Sequence, residues 1–395
     1  MFEKIAAAPA DPILGLTEEF KKDTRSDKIN LGVGVFKTED GKTPILNCVK
    51  KAEKRILESE NTKSYLSIAG VPGFDRLVQD LIFSSKSDVV ASSRARTVQA
   101  PGGTGALRIG GDFIHQQNVS STIWISDPTW ANHMKVFGAA GLKIERYKYY
   151  NKETHSFDLQ AALDSLKAAK PGDTVLFHGC CHNPTGSDPS AEEWETLGKF
   201  TAERGLLPFF DFAYQGFSKG LEEDAAGVRT FEKYHKEFIV ANSFSKNFGL
   251  YNERIGGLTV VCANSGDADK AFSQMKIAVR ANFSNPPAHG GKIVAEVLSD
   301  PELKKEWEDE VKAMRDRILD MRKLFVEKLK AEDIDWGFIV KQNGMFSFTG
   351  LTPEQVDRIK ADCGVYCVRN GRINVAGIST KNVDALVRAI KHVLA

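Results

Sequence analysis

Between residues 96 and 262, short apolar runs (RTVQA, TIWIS, TVLFH, LPFFD, FIVAN and GLTVVC) alternate with stretches of helical periodicity. Such short apolar runs suit strands buried on both faces, and consecutive parallel strands need a crossover, which a helix supplies. The rhythm predicts an α/β fold with a mainly parallel, doubly wound sheet covered by helices on both faces. Ligands of such sheets collect beyond the carboxyl ends of the strands. The polar and glycine-bearing segments fall at those ends: PGGTGAL, DPTWANH and HNPTG, then Asp211 and Ser243.

From Pro301 to about Lys330, Leu303, Trp307, Val311, Met314, Ile318, Met321 and Phe325 recur at spacings of three and four, the stripe of one long helix. It is expected to join a large domain to a small one. Beyond it, FIVKQNGMFSFTG, VYCVRNGRINVAGI and a C-terminal helix form an α+β segment expected to pack with the N-terminal region. The expected division is residues 1–40 as an N-terminal arm and part of the small domain, 41–305 as the large domain, and 306–395 as the interdomain helix and the remaining small domain. A chain of 395 residues, 42% hydrophobic, can bury cores of that size.

A net charge of +1 provides no global field for nucleic acid or an anionic membrane, so neither is expected as a partner. The six cysteines lack a paired CxxC pattern, and no metal site is expected. MFEKIAAAPADP contains no apolar run long enough for a signal peptide, and no segment is long enough to span a membrane. A cytoplasmic protein is the expectation.

The densest chemistry lies between Asp211 and Arg254, in FDFAYQGF and FIVANSFSKNFGLYNER. Neighbouring strand ends deliver an acid, a phenol, two hydroxyls, a lysine and an arginine. These suit an aldehyde cofactor with a ring nitrogen and a phosphate, which is pyridoxal 5'-phosphate (PLP). A buried carboxylate, Asp211, would keep the pyridine nitrogen protonated. The Tyr214 phenol would bond the ring oxygen, and Lys246 would form the Schiff base and later act as a neutral base. Ser243, Ser245 and Arg254 carry donors that a phosphate dianion takes.

Gly102, Gly103 and Thr104 lie where a strand gives way to a helix expected near Ala106. They are either a phosphate-binding helix start or a glycine-rich turn with no ligand. Trp130 could stack on the pyridine ring or be a buried structural aromatic. Asn183 could donate to the ring oxygen or belong to an Asn-Pro turn. His133 and His178 either orient Asp211 or are satisfied core histidines. Arg372, between a glycine turn and an alternating strand, has the rigid support of a carboxylate clamp, and Arg280 ends a helical stretch; either is equally readable as a surface charge.

Taken together, LGVGV, PGGTGAL, HNPTG, FDFAYQGF, SFSKNFGLYNER, RANFSNPP and GRINVAG resemble the class I aspartate aminotransferase family over essentially the whole chain. The resemblance implies PLP-dependent transferase fold type I, with Lys246 as the Schiff-base lysine, Asp211 as the pyridinium partner, Tyr214 and Asn183 as ring-oxygen ligands, and Trp130 as the stacking residue. It implies a phosphate site of Gly102, Gly103, Thr104, Ser243, Ser245 and Arg254, joined by Tyr65 of the partner subunit. It further implies that Arg372, with Gly34 close by, binds the substrate α-carboxylate, and that Arg280 of the partner subunit binds the distal carboxylate. The active sites of a homodimer would thus be shared. Phe36 and Ser64 depart from the family's common Tyr and Asn, whereas Val35, Lys37, Thr43 and Asn285 look like the aspartate branch.

The implied reaction is ping-pong transfer of the amino group of L-aspartate to 2-oxoglutarate, with the small domain closing over substrate. The rivals are an aromatic-amino-acid aminotransferase, another PLP reaction such as β-elimination or decarboxylation, a non-catalytic protein of the same fold, and a nicotinamide dehydrogenase suggested only by the glycine-rich turn.

Overall fold

The computed structural model describes residues 2–7 and 14–395; Met1 and residues 8–13, which fall in the expected N-terminal arm, lie outside the described residues. The chain forms two compact units. One comprises Pro44–Asn183 and Ser187–Asp316, and the other comprises the residues up to Thr43, Pro184–Gly186 and Arg317–Ala395.

The first unit is built on a seven-stranded sheet: β1 (Ala95–Pro101), β2 (Thr122–Asp127), β3 (Lys143–Lys148), β4 (Thr174–His178), β5 (Leu207–Phe212), β6 (Phe238–Ser243) and β7 (Ile255–Val261). Their spatial order is β1-β7-β6-β5-β4-β2-β3. Pairing is parallel from β3 across to β6, while β7 is antiparallel to both β6 and β1. GLTVVC therefore forms the one reversed strand of an otherwise co-directional sheet. Every residue of β4, β6 and β7 is buried, as strands covered on both faces must be. Val98, Ile123, Leu176, Phe209 and Leu258 form the middle of the core and are wholly buried.

Two local expectations need correction. The helix after β1 starts at Gly102, not near Ala106, and runs to Gln117, so both glycines occupy its first turn. The second is β3, KIERYK, whose charged alternation the apolar-run reading passed over. It lies at the sheet edge, where Lys143, Arg146 and Lys148 are exposed and only Tyr147 is buried.

The long helix spans Pro301–Lys330, and all seven members of its stripe are buried. It starts in the first unit and ends in the second. In the second unit Ile29–Asn30 pairs parallel with Val365–Tyr366, and Phe346–Phe348 pairs antiparallel with Arg372–Asn374. The helix Pro353–Cys363 opens with a Thr352/Gln355 capping box and closes on left-handed Gly364. Among the described residues no helix is long and apolar enough to cross a membrane.

Candidate active site

Since β1, β2, β4, β5 and β6 run the same way, their carboxyl ends share one rim. The reversed β7 begins at that rim, so Arg254, just before it, arrives beside Gly102 and Ser243. Register fixes this meeting: Ile255 lies opposite Pro101 and Gly256 opposite Ser243.

There the backbone and side chains form a cradle. Gly102 has φ +73°, and a Cβ placed on it would lie 2.4 Å from Arg254 Nη2. A Cβ on Gly103 would meet Ser243 Cβ at 3.1 Å. Arg254 Nη1 donates to the Tyr251 carbonyl at 2.9 Å and to Ser245 Oγ at 3.4 Å, and the Ser245 amide donates to Ser243 Oγ at 3.3 Å. Thr104 sits in the same first helical turn. Helix N-terminal amides, two hydroxyls and a guanidinium converge on a space that a side chain at Gly102 would fill. That donor set fits a phosphate dianion.

Asp211, near the end of β5, is buried, and Oδ2 accepts from Nε2 of the wholly buried His133 at 2.9 Å. Burial pushes the carboxyl pKa up, but the His133 hydrogen bond, together with the nearby His133 and His178 rings and Lys246, outweighs it and leaves it below the ordinary value. His133 Nδ1 is 2.8 Å from Thr129 Oγ1, which is 3.0 Å from His178 Nε2. His178 Nδ1 accepts from the Asn183 amide at 3.4 Å. Burial, reinforced by the neighbouring His133 and opposed by Asp211, lowers the His178 pKa to about 3, so this ring is neutral at pH 7. The tautomers follow in sequence. Because Nδ1 of His178 accepts, its Nε2 donates to Thr129; the Thr129 hydroxyl then donates to His133 Nδ1, and His133 Nε2–H points at Asp211. Both histidines therefore orient the acid, one directly and one through Thr129, a residue the sequence reading passed over although it lies in DPTWANH.

Lys246 lies in the turn after β6, with Nζ 5.0 Å from the centroid of the Tyr214 ring. Asn247 Nδ2 donates to the Gln215 carbonyl at 3.2 Å, tying the lysine turn to the tyrosine turn. Beneath it, Trp307 Nε1 donates to the Asn247 carbonyl at 2.7 Å while its ring stacks on Phe248. Asp224 secures the far side by accepting from the amides of Gly216, Ser218, Lys219 and Gly220. Cys180, Cys181 and Asp224 bring ligand-type atoms together, but this carboxylate already serves four backbone donors. None of the six cysteines, all of them described, is joined in a disulfide. Trp130 is half-buried, packs against the sheet core and meets His133 edge-on at 5.3 Å.

Tyr65 and Arg280 are brought together elsewhere on the same unit. They line a cavity of about 650 Å³ with Leu66, Ile68, Phe283, Ser284 and Asn285. Tyr65 is 94% exposed and Arg280 is also exposed, so both project outward. Arg280 Nη1 donates to Ser284 Oγ, and Asn285 Nδ2 holds the Leu66 carbonyl at 2.9 Å. Ser64 bonds Thr62 across 2.9 Å.

In the second unit, buried Arg372 places its guanidinium carbon 4.2 Å from the centroid of Phe346 and donates to the Gly32 carbonyl at 2.6 Å. Asn374, two residues on, donates to the Val33 and Val35 carbonyls, so GRINVAG fixes the LGVGV loop. A Cβ on Gly34 would strike Phe346 Cζ at 2.7 Å. Phe36 is buried and its carbonyl accepts from Thr43 Oγ1 at 3.1 Å, while burial pushes the Lys37 ammonium pKa down.

Similarity to known proteins bears on all these residues. The aspartate aminotransferase of Escherichia coli (strain K12) is 56% identical over 396 residues, covering all of both chains. The aromatic-amino-acid aminotransferase of Burkholderia pseudomallei, solved with pyridoxal phosphate covalently bound, superposes with a TM-score of 0.97 at 45% identity and full coverage of both chains. The cytoplasmic aspartate aminotransferase of Saccharomyces cerevisiae gives 0.96 at 37% identity, covering 100% of this chain and 98% of its own. With residues 26–390 matching the model for aminotransferase class I and II, the chain belongs to that family.

Proposed function

We propose that this chain is an aspartate aminotransferase that binds PLP and exchanges the amino group of L-aspartate with the oxo group of 2-oxoglutarate, giving oxaloacetate and L-glutamate. The observation that carries the reading is the convergence of Lys246, Tyr214, the buried Asp211 and the Gly102–Ser243–Arg254 cradle in one unit. The full-length 56% identity to an aspartate aminotransferase supports the substrate pair.

When bound, PLP supplies an aldehyde that receives the amino group and a ring that accepts the electron pair left at the substrate's α-carbon. Asp211, held anionic by His133, would keep a proton on the ring nitrogen. Tyr214 and Asn183 would serve the ring oxygen, Trp130 would pack against the ring, and Gly103, Thr104, Ser243, Ser245 and Arg254 would take the phosphate with Tyr65 of the partner subunit. Lys246 would hold the group through its side-chain amine and, once released, would take the substrate's α-proton as a neutral amine. Arg372, beside Gly34, clamps the α-carboxylate by its planar fork, and Arg280 of the partner subunit takes the distal carboxylate. Two cationic clamps select dicarboxylates because a neutral side chain would leave a buried donor set unpaired. We place the enzyme in the cytoplasm as a homodimer. Six cysteines in the thiol form support a reducing compartment, and the outward projection of Tyr65 and Arg280 supports shared sites.

The near-identical fold of an aromatic-amino-acid aminotransferase favours a second reading. Turnover with aspartate and with phenylalanine, each paired with 2-oxoglutarate, separates them. A kcat/KM for aspartate above that for phenylalanine supports the proposal, and the reverse order overturns it in favour of the aromatic enzyme.

A further inference from the structure

Arg322, on the long helix, is 1% exposed and among the largest wholly buried side chains. Burying a guanidinium costs several kcal/mol unless its donors are met with good geometry. Here they are directed at one short segment. Nη1 donates to the Ile339 carbonyl at 3.0 Å and to Ser347 Oγ, and Nη2 donates to the carbonyls of Asn343 (3.3 Å), Gly344 (2.7 Å) and Phe346 (2.6 Å). One rigid fork thus gathers residues 339–347, and each bond is charge-assisted and so stronger than an ordinary amide contact.

The segment ends in the strand Phe346–Phe348, which pairs with Arg372–Asn374. The Phe346 ring is both the platform beneath the Arg372 guanidinium and the surface on which Gly34 rests. An aromatic ring attracts a guanidinium only when the two are held in contact, and its position is set by the backbone that carries it. Arg322 fixes that backbone at the Phe346 carbonyl itself.

We propose that Arg322 is a positioning residue for the substrate's α-carboxylate, acting through Phe346 on Arg372. The inference rests on the reading of Arg372 given above. Lysine retains charge and burial at 322 but lacks the planar fork, so it cannot gather the segment in the same way.

The test is a double-mutant cycle on the PLP-loaded dimer with Arg322→Lys, Arg372→Lys and the double variant. The readouts are maleate affinity, from the change in cofactor absorbance, and thermal stability. Arg322→Lys is expected to weaken maleate binding about tenfold in the parent and by less than about twofold in the Arg372→Lys background. Its KM for aspartate should rise more than its kcat falls. An equal loss in both backgrounds overturns the proposal, because Arg322 would then act on binding independently of Arg372. Unchanged affinity in Arg322→Lys alongside weakened binding in Arg372→Lys also overturns it, while the Arg372 reading stands. If Arg372→Lys binds maleate as well as the parent does, that reading fails and takes the proposal with it. Should Arg322→Lys not fold, Ser347→Ala takes its place in the cycle and is judged by whether its smaller loss disappears in the Arg372→Lys background.

Discussion

His133 Nε2 and Asp211 Oδ2 meet at 2.9 Å on a ring with no solvent exposure, and the proton between them is kept on Nε2, aimed at the acid, by a hydroxyl on the far side of the ring. Thr129→Val keeps the shape and removes that hydroxyl. Two buried ring nitrogens then lose a partner, which costs about 1–3 kcal/mol of stability and frees His133 to adopt the wrong tautomer. Urea unfolding should show the loss, and kcat should fall by about tenfold, a loss of about 1.4 kcal/mol of transition-state stabilisation. Unchanged stability and turnover would show that Thr129 sets nothing.

Acidification should destabilise the fold well before its carboxylates titrate. His178, His182 and His235 are all shifted below the ordinary histidine value of 6.5 by burial, His178 to about 3. Between those values the unfolded chain binds protons that the folded chain refuses, so stability falls as pH drops from about 6.5 toward 3. For His178 the slope approaches about 1.4 kcal/mol per pH unit, and His182 and His235 add to it in the same direction. Asp211, with a lowered pKa, adds a contribution present above 3.8 and lost only as pH falls below it. Unfolding free energies at pH 8, 7, 6 and 5 should be flat above 7 and decline below; a flat profile to pH 5 would contradict the burial of these rings.

Gly102→Ala should damage cofactor retention more than folding. The added methyl would stand 2.4 Å from Arg254 Nη2 at a backbone angle of φ +73°. Moving Arg254 away opens the cradle, and PLP affinity should fall by about tenfold or more, equivalent to 1.4 kcal/mol or above. Equilibrium dialysis of the cofactor measures this, with the mid-point of thermal unfolding without PLP as the control.

The proposed sharing of sites between two subunits predicts rescue by subunit mixing. Lys246→Ala and Arg280→Val should each be nearly inactive with aspartate as homodimers. Refolded together, a hybrid contains one site with both wild-type residues, and about a quarter of parental activity should return at equal mixing. No recovery, with hybrids verified by mass, would place Lys246 and Arg280 in the same subunit's site.

The parts of this fold legible in the sequence are those written in periodicity. The long helix spans Pro301–Lys330 as its three-four stripe predicts, and the chemistry at the strand ends follows from the direction of the strands. Helix starts are less legible: glycines at 102 and 103 argue against helix, yet the first turn begins there. Cross-links between distant segments are not legible at all. Glu310 accepts from the amides of Asn47 and Cys48, at 2.7 and 3.1 Å, and so caps a helix more than 260 positions away. Thr129, Asn247 and Arg322 likewise reveal their part only once the residues they touch have been folded against them.

The charged strand β3 carries a consequence for the making of the protein. A sheet assembled from crossovers forms slowly, and its rim offers unpaired amides to any second half-made chain in the meantime. Lys143, Arg146 and Lys148 stand exposed along that edge, and even with Lys143 held by Glu145 and Arg146 by Asp127 these charged side chains would have to be desolvated for a second edge to pair with it. The residues that made this strand hard to read are a guard against aggregation.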